Sequence, residues 1–421
     1  MFARTKTDTV ASADEILENS FKSDATSHLN ESDFGLELET EPTFDSWEDL
    51  NISKELLRGI FAHGFEKPSP VQKRAIISIL EGRDATIQAQ SGTGKTGTFC
   101  IASLAKVDPK ERYAQALILS PVRELSLQTL GVCSSLGSMI PGLVLQDLVG
   151  GSSVEEDIQR MRQNPPHIVT GTPGRVLDLL NKNILIGSKL KFVVLDEADE
   201  LLSSGFKDQV YNIFQYFSKE VQVALFSATI PPWLSPITKQ FLRDPVQILV
   251  KAEQLTLEGI TQYYIAIDND PDKFAALRDL YKFCSLSQCV VYCNSIKRVS
   301  DLYKAMCEEG FPVCCIHSDM DKAARYTSLQ EFRNGKYRVL LSSNVTSRGI
   351  DVQQVSTVIN FDFPKCTDNY LHRIGRGGRW GRKGTGINFV TRRDMQKLKE
   401  IETFYQTQII EMPGNVEDLF S

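Results

Sequence analysis

The chain has 421 residues, 42% apolar and 24% charged, with 47 basic against 53 acidic residues and a formal net charge of -6. That length exceeds what one hydrophobic core serves and predicts two domains of roughly 200 residues each. The composition excludes a collagen, a coiled-coil rod, a membrane bundle and a chain disordered throughout, and the negative charge argues at face value against a partner as anionic as nucleic acid.

Residues 1–43 are rich in Asp, Glu, Ser and Thr and are predicted to be an acidic, disordered arm. Arg4 and Lys6 there alternate with Asp8, Asp14, Glu15 and Glu18, so neither a secretory signal nor a transit peptide is expected. The expected compartment is the cytoplasm, with the nucleus as the alternative. No run reaches the about 18 apolar residues of a membrane span. The nine cysteines lie mostly within apolar runs such as Cys289-Val290-Val291-Tyr292-Cys293, which predicts buried free thiols and no zinc site.

Strand-like runs at Ala85–Ala89, Ala116–Leu119, Ile168–Thr170, Phe192–Leu195 and Val223–Phe226 are separated by stretches long enough for crossover helices. A second series follows at Cys289–Tyr292, Val313–Ile316, Val339–Leu341 and Val358–Asn360. The pattern predicts two α/β domains with parallel sheets, at 44–248 and 259–421, joined by a linker at 249–258.

Ala89-Gln90-Ser91-Gly92-Thr93-Gly94-Lys95-Thr96 ends a predicted strand and opens a helix. Such a loop turns its backbone N–H groups toward phosphate oxygens, Lys95 toward the terminal phosphates of ATP and the Thr96 hydroxyl toward Mg²⁺. About 100 residues on, Phe192–Leu195 delivers Asp196-Glu197-Ala198-Asp199 at a strand's carboxyl end. Asp196 is placed to hold Mg²⁺, and Glu197 to orient or deprotonate the attacking water.

Asp196-Glu197-Ala198-Asp199 spells the name of the DEAD-box ATP-dependent RNA helicases, which the chain resembles from about Phe44 to its C-terminus. The resemblance implies two tandem RecA-like, P-loop domains of the superfamily 2 helicases. Gly64-Phe65-Glu66-Lys67-Pro68-Ser69-Pro70-Val71-Gln72 is similar to the family's adenine-selecting motif, which includes Phe65; Gln72 would read the adenine edge and Trp47, by spacing, would stack on the ring. Ser227-Ala228-Thr229 is similar to the motif that couples Asp199 to the second domain. His372-Arg373-Ile374-Gly375-Arg376-Gly377-Gly378-Arg379 is similar to the motif whose arginines, here Arg376 and Arg379, complete catalysis, with His372 reporting to the coupling motif. Gly349 and Asp351 would face the ribose.

For RNA the resemblance implies sequence-independent backbone contacts from Pro121, Arg123, Gly150, Gly151, Thr172, Pro173, Gly174, Arg175, Asn294 and Ser343. Val122 stands where threonine is usual, Ser343-Asn344 where Thr-Asp is common, Ser347 where alanine is, and Gln330 where relatives tend to carry a basic residue. Glu200-Leu201-Leu202-Ser203-Ser204-Gly205-Phe206-Lys207 and Gln353-Gln354 bring the chain nearest to the branch that serves translation initiation, with the exon-junction branch as alternative. That branch implies non-processive unwinding of short duplexes by an otherwise monomeric protein, and a helical-repeat scaffold of the cap-binding complex as partner. An ATP-gated RNA clamp that rarely turns over is the competing reading. The first 50 residues hold thirteen acidic and three basic residues, so the remainder is net positive and the objection to nucleic acid lapses.

Overall fold

Short runs of β-branched and aliphatic residues form fourteen strands among the described residues, arranged in two seven-stranded, all-parallel sheets. The computed structural model describes residues 43–89, 92–203, 205–249, 260–283, 288–346, 355–377 and 384–413. The predicted arm, but for its last residue, and nearly all of the predicted linker lie outside them.

The first sheet contains β1 (Ala85–Gln88), β2 (Ala116–Leu119), β3 (Leu145–Leu148), β4 (Ile168–Gly171), β5 (Phe192–Asp196), β6 (Gln222–Ser227) and β7 (Val246–Leu249) in the order β3-β4-β2-β5-β6-β1-β7. The second contains β8 (Ile260–Ala266), β9 (Cys289–Tyr292), β10 (Val313–Ile316), β11 (Val339–Ser342), β12 (Thr357–Asn360), β13 (Gly384–Val390) and β14 (Ile410–Glu411) in the order β10-β11-β9-β12-β13-β8-β14. Counted from the first strand of each sheet, the two orders are identical. The chain is therefore two domains of one topology in tandem, as the resemblance implied, although no short repeat shows in its sequence.

Alternation along the strands builds a core on both faces of each sheet. Ile118, Phe192, Val194, Ala224 and Phe226 join one cluster, whereas Leu117, Leu119, Val193, Leu195, Val223 and Leu225 join the other. The second sheet does the same with Val290, Tyr292, Leu340 and Val358 on one side and Cys289, Val291, Leu341 and Ile359 on the other. Five strands escaped the sequence reading. β3 carries Gln146 and Asp147, β13 begins Gly-Thr-Gly, and β7, β8 and β14 lie toward one side of their sheets. The predicted thiol burial holds for Cys100, Cys133, Cys289, Cys293 and Cys314, but Cys307 and Cys366 are exposed.

Two close packings fix how helices sit on these sheets. In the helix Lys54–Ala62, Gly59 lies so near the end of the helix Arg123–Leu136 that a Cβ there would fall 1.9 Å from the Leu136 carbonyl oxygen. In the second domain, Arg373 is fully buried and its guanidinium donates to Asn294 Oδ1 at 2.7 Å, Asn344 Oδ1 at 2.7 and 2.9 Å, Asn360 Oδ1 at 3.1 Å and the Asp362 carbonyl at 2.9 Å. Its direct partners are all neutral acceptors, and burial pulls its pKa down to about 10. Asn344, whose departure from the common Asp has no meaning in the sequence alone, is the side chain that accepts two of these bonds.

Gly59→Ala should lower the unfolding free energy by about 1–2 kcal/mol in denaturant titrations, because the backbone clash outweighs the better helix propensity of alanine. Asn344→Asp should add about 1 kcal/mol by giving Arg373 an ionic partner. That gain should vanish as the pH drops below about 4 and the new carboxylate protonates, which thermal unfolding across a pH series measures.

Candidate nucleotide and RNA site

Parallel sheets open their binding crevices at the carboxyl ends of the strands, and the motif residues gather there. β1 runs into Ala89, which is buried and whose N–H donates to the Ser227 carbonyl at 3.0 Å. Gln90 and Ser91 lie outside the described residues. Gly92 and Gly94 have φ of +84° and +101°, in the left-handed region that glycine tolerates. A Cβ on Gly94 would also meet Ser69 Oγ at 2.8 Å and Gln72 Nε2 at 3.0 Å. Thr93 and Thr96 are half-buried at the helix start, and Lys95 opens the helix Lys95–Lys106.

Gln72 is buried against this loop. Its Oε1 accepts the Ser69 N–H at 2.7 Å and its Nε2 lies 3.5 Å from the Gly94 carbonyl, so it ties the Gly64–Gln72 segment to the glycine loop. The expectation for Trp47 is corrected: its indole is wholly buried in the core and stacked on Phe65 at 6.3 Å between centroids, leaving no ring face for a base. Phe65 is only half-buried and its ring edge packs over Gly97, so it is the aromatic with surface at this edge. Spacing could not separate the buried ring from the one that covers it.

Lys95 is buried and its Nζ has no hydrogen-bond partner; Glu197 Oε2 is in the same condition. A buried ammonium and a buried carboxylate oxygen without partners are costly, and a triphosphate with its attacking water supplies what each lacks. Glu197 adopts φ +52° and ψ +55°, left-handed backbone that a non-glycine residue holds only when its surroundings fix it. The neighbouring Asp196 accepts the Glu197 N–H at 3.0 Å. Burial first, and then the charge of Glu197, push the Asp196 carboxyl up to about 8, while Lys95 pulls the other way. A divalent cation held by Asp196 and Thr96 would remove that conflict, so the donor set suits Mg²⁺.

Asp199 is the junction. Ser227 Oγ donates to one carboxylate oxygen at 2.7 Å, Thr229 Oγ1 to the other at 3.0 Å, and His372 Nε2 of the second domain lies 3.2 Å from the latter. All four coupling residues expected from the sequence therefore meet at one buried point. Arg376 follows directly, buried, with Nε donating to the His372 carbonyl at 3.2 Å. Arg379, Gly349 and Asp351 lie outside the described residues.

A cavity of about 890 Å³ opens between the domains, lined by Pro121, Arg123, Gly150, Thr172, Gly174 and Arg175 of the first and by Ser318, Lys322, Arg325 and Asn344 of the second. Several residues expected to touch RNA already have protein partners. Arg123 Nη1 donates to the Gly150 carbonyl at 3.0 Å, and Arg175 is paired with Asp157 and donates to the Ser152 carbonyl at 2.8 Å. Asn294 donates from Nδ2 to the Phe363 carbonyl at 2.8 Å while accepting from Arg373. Gly151 stands beside the cavity with φ +109°, Pro173 is buried at the first turn of its helix, and Ser343 follows β11 half-buried. Val122, at the N-cap of the helix Arg123–Leu136, provides no side-chain cap where a threonine hydroxyl could. Sequence reasoning placed Glu124 in the Pro121–Leu125 motif but missed its partner Arg325, with which it forms an ion pair across the cleft, and Lys322 nearby. Nothing local marks residues 201 positions apart as neighbours.

Residues 69–236 match the DEAD/DEAH box helicase model, and residues 272–381 match the helicase conserved C-terminal domain. The chain is 50% identical over 375 residues to "Eukaryotic initiation factor 4A" of Caenorhabditis elegans, covering 89% of this chain and 93% of that one. It is 48% identical over 384 residues to "ATP-dependent RNA helicase eIF4A" of Chaetomium globosum, covering 91% and 96%. Among solved structures, Dbp5 of S. cerevisiae bound to RNA and ADP BeF3 superposes with a TM-score of 0.84 at 33% identity, over 89% of this chain and 97% of that one. Mss116 bound to ssRNA and UDP-BeF gives 0.79 at 25% identity, over 88% and 80%. With a phosphate loop, an Asp-Glu-Ala-Asp strand end and an inter-domain Asp199–His372 contact in one frame, the chain belongs to the DEAD-box family of ATP-dependent RNA helicases.

Proposed function

We propose that this protein hydrolyses ATP to separate short RNA duplexes without tracking along them, as a translation-initiation helicase acting on the 5′ region of mRNA. The observation that carries the reading is the pair of partnerless buried groups, Lys95 Nζ and Glu197 Oε2, set in a cleft that the second domain closes through His372. The names of the relatives, initiation factor 4A among them, supply the pathway.

The residue roles follow from chemistry. Lys95 binds the terminal phosphates, and Thr96 and Asp196 would hold a Mg²⁺ ion, which would supply charge neutralisation at the phosphates. Glu197 orients the attacking water and takes its proton. Arg376, joined by Arg379, stabilises charge building on the transferred phosphoryl group, where a guanidinium gains most. Phe65 and Gln72 hold the adenine end, and Gly349 and Asp351 the ribose. Asp199, engaged by Ser227, Thr229 and His372, reports domain closure to the nucleotide. RNA runs through the cavity along Pro121, Gly150, Thr172 and Gly174; Arg123 and Arg175 hold the 150–152 loop beside that path, and Asn294 and Ser343 stand on the second domain's side. A cytoplasmic location and a helical-repeat scaffold partner go with this reading; among the described residues no helix is long and apolar enough to cross a membrane.

RNA should raise ATP turnover, and Glu197→Gln should cut the stimulated rate by about 100-fold or more while ATP-dependent RNA retention persists. Turnover that RNA leaves unchanged would sink the proposal. Retention of RNA without strand separation would instead assign the chain to the clamp class.

The position of Asp196 adds a pH signature. Its carboxyl is protonated below about 8 in the free protein and must ionise to hold Mg²⁺. Affinity for Mg²⁺–nucleotide should therefore climb with pH by up to about one decade per unit and level off above about 8. Calorimetry at pH 7 in buffers of different ionisation enthalpy should find close to one proton released per site, and finding none would disprove the assignment.

A further inference from the structure

Among the described residues four cations line the cavity between the domains, and three are already engaged. Arg123 is bonded to the Gly150 carbonyl, Arg175 to Asp157 and Ser152, and Arg325 to Glu124. Lys322 differs: it is exposed, and among the described residues no hydrogen bond or ion pair holds its ammonium group. It belongs to the second domain, as the first residue of the helix Lys322–Arg333, yet its stem crosses onto the first domain. A Cβ placed on Gly151 would lie 2.1 Å from Lys322 Cδ and 2.3 Å from Nζ, and one on Gly150 would lie 4.0 Å from Nζ. Gly151 is thus glycine for two reasons, its φ of +109° and the lysine lying across it.

The placement is costly for the helix. A cation at the first turn faces the positive end of the helix dipole, and Asp321 at the N-cap, which accepts the Ala323 and Ala324 N–H groups, only offsets this. A charge kept at an unfavourable helix position, unpaired, in a cleft whose other cations are committed, suits an anion brought from outside. We propose that Lys322 is a phosphate-binding residue for RNA that acts across the domain boundary: it lies over the Gly150-Gly151 loop when the domains are together and pairs with a backbone phosphate that the first domain's loops position. The inference rests on the reading of this cavity as the RNA path.

The test is RNA affinity as a function of salt, using a short single-stranded oligonucleotide and a non-hydrolysable ATP analogue with the full-length protein. Each phosphate neutralised contributes about 0.7 to the slope of log affinity against log salt, which is about a fivefold change in affinity per decade of salt. Lys322→Gln should lower the slope by about 0.7 and weaken binding about fivefold at 0.1 M salt. Lys322→Arg should restore both values, and Lys399→Gln, an exposed lysine of the helix Met395–Tyr405 that does not line the cavity, should change neither. An unchanged slope and affinity for Lys322→Gln, while the unmodified protein binds RNA, would overturn the proposal and leave the RNA path standing. Weaker binding with an unchanged slope would assign Lys322 to packing on Gly151 and overturn it equally. If the unmodified protein fails to retain RNA with the analogue, the reading of the cavity itself fails.

Discussion

The contact between the domains that reaches the nucleotide-side acids rests on the burial of one carboxylate. Asp199 has almost no exposed surface, and a carboxylate removed from water is tolerable only where donors replace its hydration. Ser227 and Thr229 come from the end of β6, one strand away, and His372 comes from the second domain. The first two keep Asp199 satisfied within its own domain. The third exists only while the domains are together, so their arrangement and the electrostatics of the nucleotide site are not independent.

The helix Thr367–Ile374 extends that dependence. His372 meets Asp199, while the next residue, Arg373, turns into its own domain and grips Asn294, Asn344 and Asn360. Arg376 then returns toward His372. One helix end therefore connects the coupling carboxylate, the loops that follow β9 and β11, and a guanidinium suited to a phosphoryl group. A displacement at that helix end is shared by all three contacts, because the helix moves as one element.

Charge reads differently at each scale. The whole chain is acidic, its first 50 residues more so, and the remainder is mildly basic. Inside the cavity most of that positive charge is spent internally: Arg123, Arg175 and Arg325 shape loops and hold domains, leaving few free cations to face a ligand. A surface of this kind grips a polyanion through loop geometry and neutral donors more than through net charge, in keeping with RNA recognition that depends on domain arrangement.

The sequence by itself determined the fold class, the glycine loop before Lys95, the acidic strand end and the four residues that meet at Asp199, because each depends on a local pattern: apolar runs buried on both faces, Gly92 and Gly94 before Lys95-Thr96, acids at a strand's end. It also marked Val122 and Asn344 as departures without saying what they do. Only the tertiary structure decided that Asn344 serves a buried arginine, that Trp47 lies beneath Phe65, and that Arg175 braces a loop. It alone revealed that the two sheets repeat one strand order and that Glu124, Arg325 and Lys322 meet across the cleft. These facts depend on which surfaces approach after the chain has crossed between sheets, and no spacing along the sequence encodes a contact closed by about 200 intervening residues.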